Sequence, residues 1–220
     1  KKLAHEIKNP LTPIQLSTER LNKKLINLND LEKRDALGSI DTIKRQVEEI
    51  RHLVDEFSNF ARMPKPEFKN HDLIEIINLS IILFADSYKN IVFKKDIYDS
   101  KILMNCDDGQ ISRAINNIIK NAIFSINESN NKDNGEIKIE VIKGNEFVSL
   151  AIIDNGKGFL EDEKTLLQPY YTTKRKKSGS GLGLSIVEKI INDHGGYFKI
   201  KNNTESEGAV CEFSIKCNVQ

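Results

Sequence analysis

Apolar residues in the first sixty positions return every three or four residues. Leu3, Ile7, Leu11 and Ile14 begin one run, which Thr18 bridges to Leu21, Leu25 and Leu28. Ile40, Ile43, Val47, Ile50, Val54, Phe57 and Ala61 form a second run with heptad-like spacing. Such spacing lays one narrow apolar stripe along each of two helices, joined by a polar turn near Asn27–Arg34. Two helices with narrow seams do not bury both faces alone. Two copies of the hairpin would close a four-helix bundle. A monomeric hairpin packed on the rest of its own chain is the alternative.

Met63-Pro64-Lys65-Pro66 stops this pattern, because proline disfavours helix at itself and at the preceding residue. Residues 64–66 therefore read as a linker between a helical domain, 1–63, and a second domain, 67–220. In the second domain the pattern predicts helices over Asp72–Tyr88, Asp107–Glu128 and Leu182–His194. It predicts strands over Ile91–Ile97, Lys101–Asn105, Glu136–Lys143, Glu146–Asp154, Tyr197–Asn202 and Ala209–Cys217. Gly144-Asn145 marks a hairpin turn, and Gly195-Gly196 ends the last helix. The sum is an α+β sandwich with one mixed sheet and helices on one face. The fold class of the whole chain is α plus α+β.

Composition adds bounds. Hydrophobic residues make up 39% of the 220, and no run approaches the roughly 18 apolar residues of a spanning helix. The net charge of +1 gives no argument for a nucleic-acid or membrane surface. Cys106, Cys211 and Cys217 fit no zinc spacing and read as free thiols in a reducing compartment. The chain lacks a starting Met and opens almost directly on a motif, so it reads as part of something longer.

That motif is Leu3-Ala4-His5-Glu6-Ile7-Lys8-Asn9-Pro10-Leu11-Thr12-Pro13. His5 lies two residues from Leu3 and from Ile7, which points it away from the seam. Glu6 can act as acid or base, and Asn9 shares the face of His5 at i+4. Pro10 in mid-helix costs roughly 3 kcal/mol and predicts a bend just past His5. An exposed neutral imidazole, with a pKa near 6.5, is a competent nucleophile.

Four separated segments look built for one nucleotide. Asn117 and Asn121 put two amides on one face of an apolar helix, where Asn is a poor helix former. An amide oxygen of Asn121 could coordinate Mg²⁺, and Lys120 could reach a phosphate. Asp154-Asn155-Gly156-Lys157-Gly158 follows an apolar strand, and its carboxylate could accept the exocyclic amine of adenine. Gly156 and Gly158 allow close approach of backbone. Gly179-Ser180-Gly181-Leu182-Gly183 runs straight into a helix, whose N–H groups favour phosphate oxygens. Between them Tyr170–Lys177, with Thr173 and Lys174, suits a basic lid.

Each segment alone is a common pattern. Their order, after a helical hairpin carrying a histidine, resembles the two-component sensor histidine kinases. His5–Pro13 looks like the family's H-box, Asn117 and Asn121 its N-box, Asp154–Gly158 its G1 box and Gly179–Gly183 its G2 box. Pro169–Lys174 resembles the F-box, with tyrosines in place of phenylalanine, and Gly208-Ala209-Val210 matches the last glycine motif loosely. Ala4–Leu21, with its Pro-Leu-Thr-Pro-Ile-Gln-Leu-Ser run, and Val54–Pro66 are similar to the NtrY-like, nitrogen-regulation branch. The resemblance implies a phosphotransfer and dimerisation hairpin, then an α/β-sandwich ATP-binding domain of the GHKL (Bergerat) type. It implies a protein-histidine kinase that uses ATP and Mg²⁺, phosphorylates His5, and passes the phosphoryl group to an aspartate of an NtrX-like response regulator. It also implies phosphatase activity on that regulator, with Asn9 holding the water. The parent protein would be anchored in the inner membrane through segments before Lys1, with this part cytoplasmic.

Two other readings stay open. A GHKL ATPase of the gyrase, Hsp90 or MutL kind would need a general-base Glu on the long helix. That helix carries Asn117 and Asn121, and the nearest upstream acids are Asp107 and Asp108. A dimerising scaffold without catalysis would have no use for Asn121, Asp154 and the Gly179–Gly183 loop.

Overall fold

The computed structural model describes residues 11, 14–21, 30–61, 63–131, 133–169, 171, 181–204 and 206–216. The chain divides into two compact units, Lys1–Met63 with Lys174–Ser180, and Pro64–Thr173 with Gly181–Gln220.

The first unit is helical. Residues 14–21 form α1, and α2 runs Asp30–Ala61. Thus α2 begins inside the stretch expected as a turn. Leu31, Glu32, Lys33 and Arg34 are all good helix formers, and polarity alone does not end a helix. The heptads split into two sets. Leu11 and Thr18, and likewise Ile40, Val47 and Val54, are buried. Ile14 and Leu21, and likewise Ile43 and Ile50, are 40–51% exposed. Each set repeats every seven residues, so each helix keeps one heptad position covered and one open. Thr18 sits in its apolar slot by donating its hydroxyl to the Gln15 carbonyl, 2.7 Å away.

The second unit starts on the linker. The Pro64 carbonyl accepts from Gln110 Nε2, and the Glu67 N–H donates to Asp107 Oδ2, both at 3.0 Å. The elements follow as β1 (Lys69–Asp72), α3 (Leu73–Ala85), β2 (Ile91–Ile97), β3 (Leu103–Cys106), α4 (Asp108–Asn127), β4 (Gly135–Lys143) and β5 (Phe147–Asp154). After them come α5 (Glu163–Leu166), α6 (Gly183–Asp193), β6 (Tyr197–Asn202) and β7 (Ala209–Lys216). Five strands form a mixed sheet in the order β2-β4-β5-β7-β6, with β2 parallel to β4 and the other pairs antiparallel.

The expectation of a single sheet is corrected by one pair. Strands β1 and β3 form a separate antiparallel ribbon. Lys69-Asn70-His71-Asp72 has no apolar residue and so no strand pattern. It is held because Asp72 caps α3 through the Ile74 N–H and also accepts from the Ile102 N–H, each at 3.0 Å.

Period-two alternation fixes the faces of the main sheet. Ile137, Ile139 and Val141 of β4 and Val148, Leu150 and Ile152 of β5 are buried. Helix α4 packs on these strands with a fully buried stripe that includes Ile111, Ile115, Ile118 and Ile119. Each such side chain contributes roughly 1.5–3 kcal/mol. The other face carries charge. Lys94 meets Glu136 at 2.6 Å, and Lys138 lies between Glu140 at 2.6 Å and Asp96 at 3.1 Å.

At the C-cap of α6 the buried His194 accepts from the Asp107 N–H at Nε2 (3.1 Å) and faces the Ile190 carbonyl with Nδ1 (2.8 Å). Those partners select the neutral tautomer with its hydrogen on Nδ1. The ring thereby ties the end of α6 to the start of α4. Cys106 and Cys211 are buried free thiols. Burial, then the charges of Asp108 and Asp107, push Cys106 up to about 12, and burial raises Cys211 as well. Neither is a nucleophile at neutral pH. Cys217 lies outside the described residues. No helix among the described residues is long and apolar enough to cross a membrane.

Candidate functional site

Asp154 ends β5 with the same parity as Val148, Leu150 and Ile152. The strand therefore turns a carboxyl group inward with the apolar set, and Asp154 is only 6% exposed. Burial pushes its pKa up to about 6, against the N–H groups of Gly156 and Ala209, which favour the charged form. The Gly156 N–H reaches Oδ1 at 2.8 Å. Among the described residues, no cation acts on it. The Ser125 hydroxyl acts in the same direction as the two N–H groups, so donors without charge are all that offset the burial.

The loop after Asp154 is held at several points. The Asn155 side chain accepts from the Glu136 N–H (2.8 Å) and donates to the Asn134 carbonyl (2.9 Å). The Asn155 carbonyl takes the Asn131 amide at 2.8 Å. A Cβ on Gly156 would overlap Ser125 of α4, and one on Gly158, at φ +70°, would stand 2.7 Å from Asn202 Oδ1. The missing side chains of both glycines are thus used by the protein itself, to press the loop onto α4 and β6.

Helix α4 supplies the floor. Asn117, Asn121 and Ser125 follow each other at i+4 on one face, over a length of about 12 Å. Gly183, the first residue of α6, sits over the two amides. A Cβ there would be 3.7 Å from Asn121 Nδ2 and 3.9 Å from Asn117 Oδ1. One helix face therefore runs from the Asp154 loop to the start of α6. That start has no side-chain cap, and Gly181, at φ +71°, and the buried Leu182 turn the chain into it. Uncapped N–H groups and the helix dipole favour an anion there. Lys120 is exposed on α4, and Lys157 Nζ stands over the Phe124 ring at 5.8 Å.

A polar cavity of about 370 Å³ opens beside the loop, lined by Lys157, Gly158, Asn202 and Gly208 among others. Asn117, Asn121 and Gly183 do not line it, so it is the rim of the loop and not the gap above the two amides. Among the described residues, no cluster of three or more His, Cys, Asp or Glu could hold a metal ion. A cation at Asn121 would take its other ligands from phosphates and water, which is the coordination Mg²⁺ prefers.

The structure gathers Asn117, Asn121, Asp154, Gly156, Gly158, Gly181, Leu182 and Gly183 around α4 and the loop it supports. His5, Glu6, Asn9, Thr173, Lys174 and Gly179 lie outside the described residues. Ser125 and Asn202 were not singled out from the sequence. Ser125 had a signal, its place at i+4 from Asn121. Asn202 had none, because its partner is 43 residues away.

Residues 106–219, which include α4, the Asp154 loop and α6, match the histidine kinase-, DNA gyrase B- and HSP90-like ATPase family. The chain belongs to that family. Residues 1–66 match the His Kinase A phospho-acceptor domain, which makes this member a histidine kinase core. Two relatives extend the likeness over its length. The nitrogen regulation protein NtrY of Azorhizobium caulinodans is 39% identical over 98% of this chain and 28% of its own. An NtrY-like sensor histidine kinase of Rickettsia bellii is 37% identical over 100% of this chain and 35% of its own. The histidine kinase core thus spans about a third of the length of these curated relatives. Among solved structures, histidine kinase ThkA in complex with response regulator protein TrrA aligns with a TM-score of 0.68 and 28% identity. That alignment covers 99% of this chain and 60% of ThkA.

Proposed function

We propose that this chain is the catalytic core of a sensor histidine kinase, which moves the γ-phosphoryl group of ATP to His5 and then to an aspartate of a response regulator. The observation that carries the reading is the single face of α4. It holds Asn117 and Asn121 under the start of α6, which has no side-chain cap, and Ser125 under the loop of the buried Asp154. Asp154 would accept the amine of adenine, the α6 start and Lys120 would take phosphate oxygens, and Thr173 and Lys174 would close over them. Asn121, with Asn117 beside it, would hold Mg²⁺, which offsets phosphate charge when bound. Asp107 caps α4 through the Gln110 N–H and also holds the linker, so one of the two nearest upstream acids is already engaged in structure. This weighs against the water-activating ATPase reading.

In the transfer, an imidazole nitrogen of His5 attacks the γ-phosphorus, the bond to the bridging oxygen breaks, and ADP leaves with that oxygen. Glu6 takes or orients the imidazole proton. In the reverse task Asn9 would hold a water in line with the phosphorus of the regulator's acyl phosphate. Labelling with γ-labelled ATP and Mg²⁺ is expected to give an acid-labile, base-stable phosphoprotein, and His5→Gln is expected to abolish it. Full labelling of His5→Gln would overturn the assignment. The NtrY relatives support a regulator of the NtrX kind, and the complex of ThkA with TrrA supports a receiver domain as partner. Residues 1–63 would be the phosphotransfer domain, 64–66 the linker and 67–220 the ATP-binding domain.

The open heptad position argues for a homodimer. Ile14, Leu21, Ile43 and Ile50 repeat at seven-residue spacing and stay exposed, as the second seam of a four-helix bundle would be before its partner docks. Replacing Ile43 and Ile50 together by Glu is expected to give a monomer by light scattering at micromolar concentration. A dimer that survives both charges would remove α2 from the interface.

A further inference from the structure

We infer that Asn202 is a positioning residue for nucleotide binding, one that fixes the far end of the Asp154 loop in the shape an adenine nucleotide requires. The inference rests on the nucleotide reading above. It starts from the edge of the main sheet. Strand β6 is an outer strand, with β7 on one side only. Its last residue, Asn202, uses its side chain as a substitute for a neighbouring strand. The Phe159 N–H donates to Asn202 Oδ1 at 2.6 Å, and Asn202 Nδ2 donates to the Phe159 carbonyl at 2.9 Å. Both main-chain groups of one residue are taken by one amide. This is the exchange that two opposed residues make across an antiparallel ladder. Only one orientation of the amide satisfies it, since a flip would set donor against donor and acceptor against acceptor.

Two further contacts make the pairing specific. Gly158 lies next to it at φ +70°, and a Cβ there would be 2.7 Å from Asn202 Oδ1 and 3.0 Å from the Gly208 carbonyl. The bare α-carbon of Gly158 is therefore the surface on which the amide rests. Two residues back on β6, the Ile200 N–H donates to Glu163 Oε1 at 3.0 Å. The segment from Phe159 to Glu163 is thus docked along the β6 edge at two points, and Asn202 is the point nearer the nucleotide loop. The loop leaves the sheet at Asp154, presses on Ser125 at Gly156 and returns to the sheet at Asn202. Removing the last anchor frees the residues after Gly156, and binding would then have to order them. Asn202 holds the loop's main chain, so it acts through Asp154's loop and not on the phosphoryl group.

The test uses the full chain and ATP. Asn202→Ala is expected to raise the Kd for ATP about tenfold by calorimetry and to raise KM for autophosphorylation, with kcat at saturating ATP unchanged. The thermal midpoint should stay close to that of the wild type, because the pair is exposed at a strand end. Asn202→Asp keeps the acceptor for the Phe159 N–H but sets a carboxylate oxygen against the Phe159 carbonyl, so it should bind no better than Asn202→Ala. Gly158→Ala should cost less binding in the Asn202→Ala background than alone, because its nearest obstruction is gone. Wild-type affinity in Asn202→Ala would overturn the inference. So would a fall in kcat at unchanged KM, or strict additivity with Gly158→Ala. A wild-type chain that binds no ATP removes the nucleotide reading, and the inference with it.

Discussion

Asp154→Asn is expected to gain stability relative to the wild type as pH rises, while losing affinity for ATP. The Asp154 carboxyl is raised from 3.8 to about 6 in the folded protein by burial. Its protonated form fits the fold better than its charged form. The contribution is fully present below the unfolded pKa and is lost as pH rises through the folded one. Between pH 4 and pH 7 the wild type should therefore lose about 2 kcal/mol that the uncharged variant keeps. The constant offset between the two proteins depends on how the amide meets the Gly156 and Ala209 N–H groups, so the pH-dependent swing is the quantity to measure, by urea denaturation at several pH values. A difference that stays flat across this window would refute the buried-charge account. Nucleotide binding should run the other way. An amine donating to Asp154 favours the charged form, so wild-type affinity should strengthen from pH 5 to pH 7. The amide variant should bind more weakly by about 1–3 kcal/mol, with no such trend.

Gly208→Ala is expected to be the most damaging single methyl group in the second unit. Gly208 has φ +126°, and a Cβ on it would overlap the Asp154 carbonyl oxygen and crowd the Asn155 α-carbon. Both obstacles are main chain, which gives way less easily than a side chain. The strained φ and the overlap together should cost about 2–6 kcal/mol in urea unfolding. Gly195 is the internal comparison. It has φ +69° with nothing within 4 Å of a Cβ, so Gly195→Ala should cost only about 1–2 kcal/mol. The excess at Gly208 measures how tightly the last glycine turn is pressed on the Asp154 loop. Equal costs at the two glycines would mean that the turn can shift away.

What the sequence made legible follows the range of the forces involved. Strands Ile91–Ile97 and Tyr197–Asn202 have their expected bounds, because alternation and flanking turns are local signals. The helices come within a few residues at their ends, where capping by Asp72 and Asp107 sets the first turn. Strand β1 was invisible, since Lys69–Asp72 has no apolar residue and is held by partners on β3 and α3. Helix α5 has four residues, too few to show a period. In the candidate site, the shared face of Asn117 and Asn121 is helix arithmetic. The inward turn of Asp154 was equally available from strand parity, yet an acid at a strand end reads most simply as exposed. The packing role of Gly156, Gly158 and Gly208 was not available. It depends on contacts with Ser125, Asn202 and the Asp154 carbonyl, which lie 31 to 54 residues distant along the chain.

The two buried thiols give the second unit a pair of clocks. Cys106 sits in the two-stranded ribbon and Cys211 in β7, between β5 and β6 in the main sheet. Neither reacts while covered, so the rate at which a thiol reagent consumes each one counts how often its strand comes open. The ribbon holds the linker's side of the domain and the main sheet holds the core. The two rates separate fraying at the linker from global unfolding, in one sample and with one reagent.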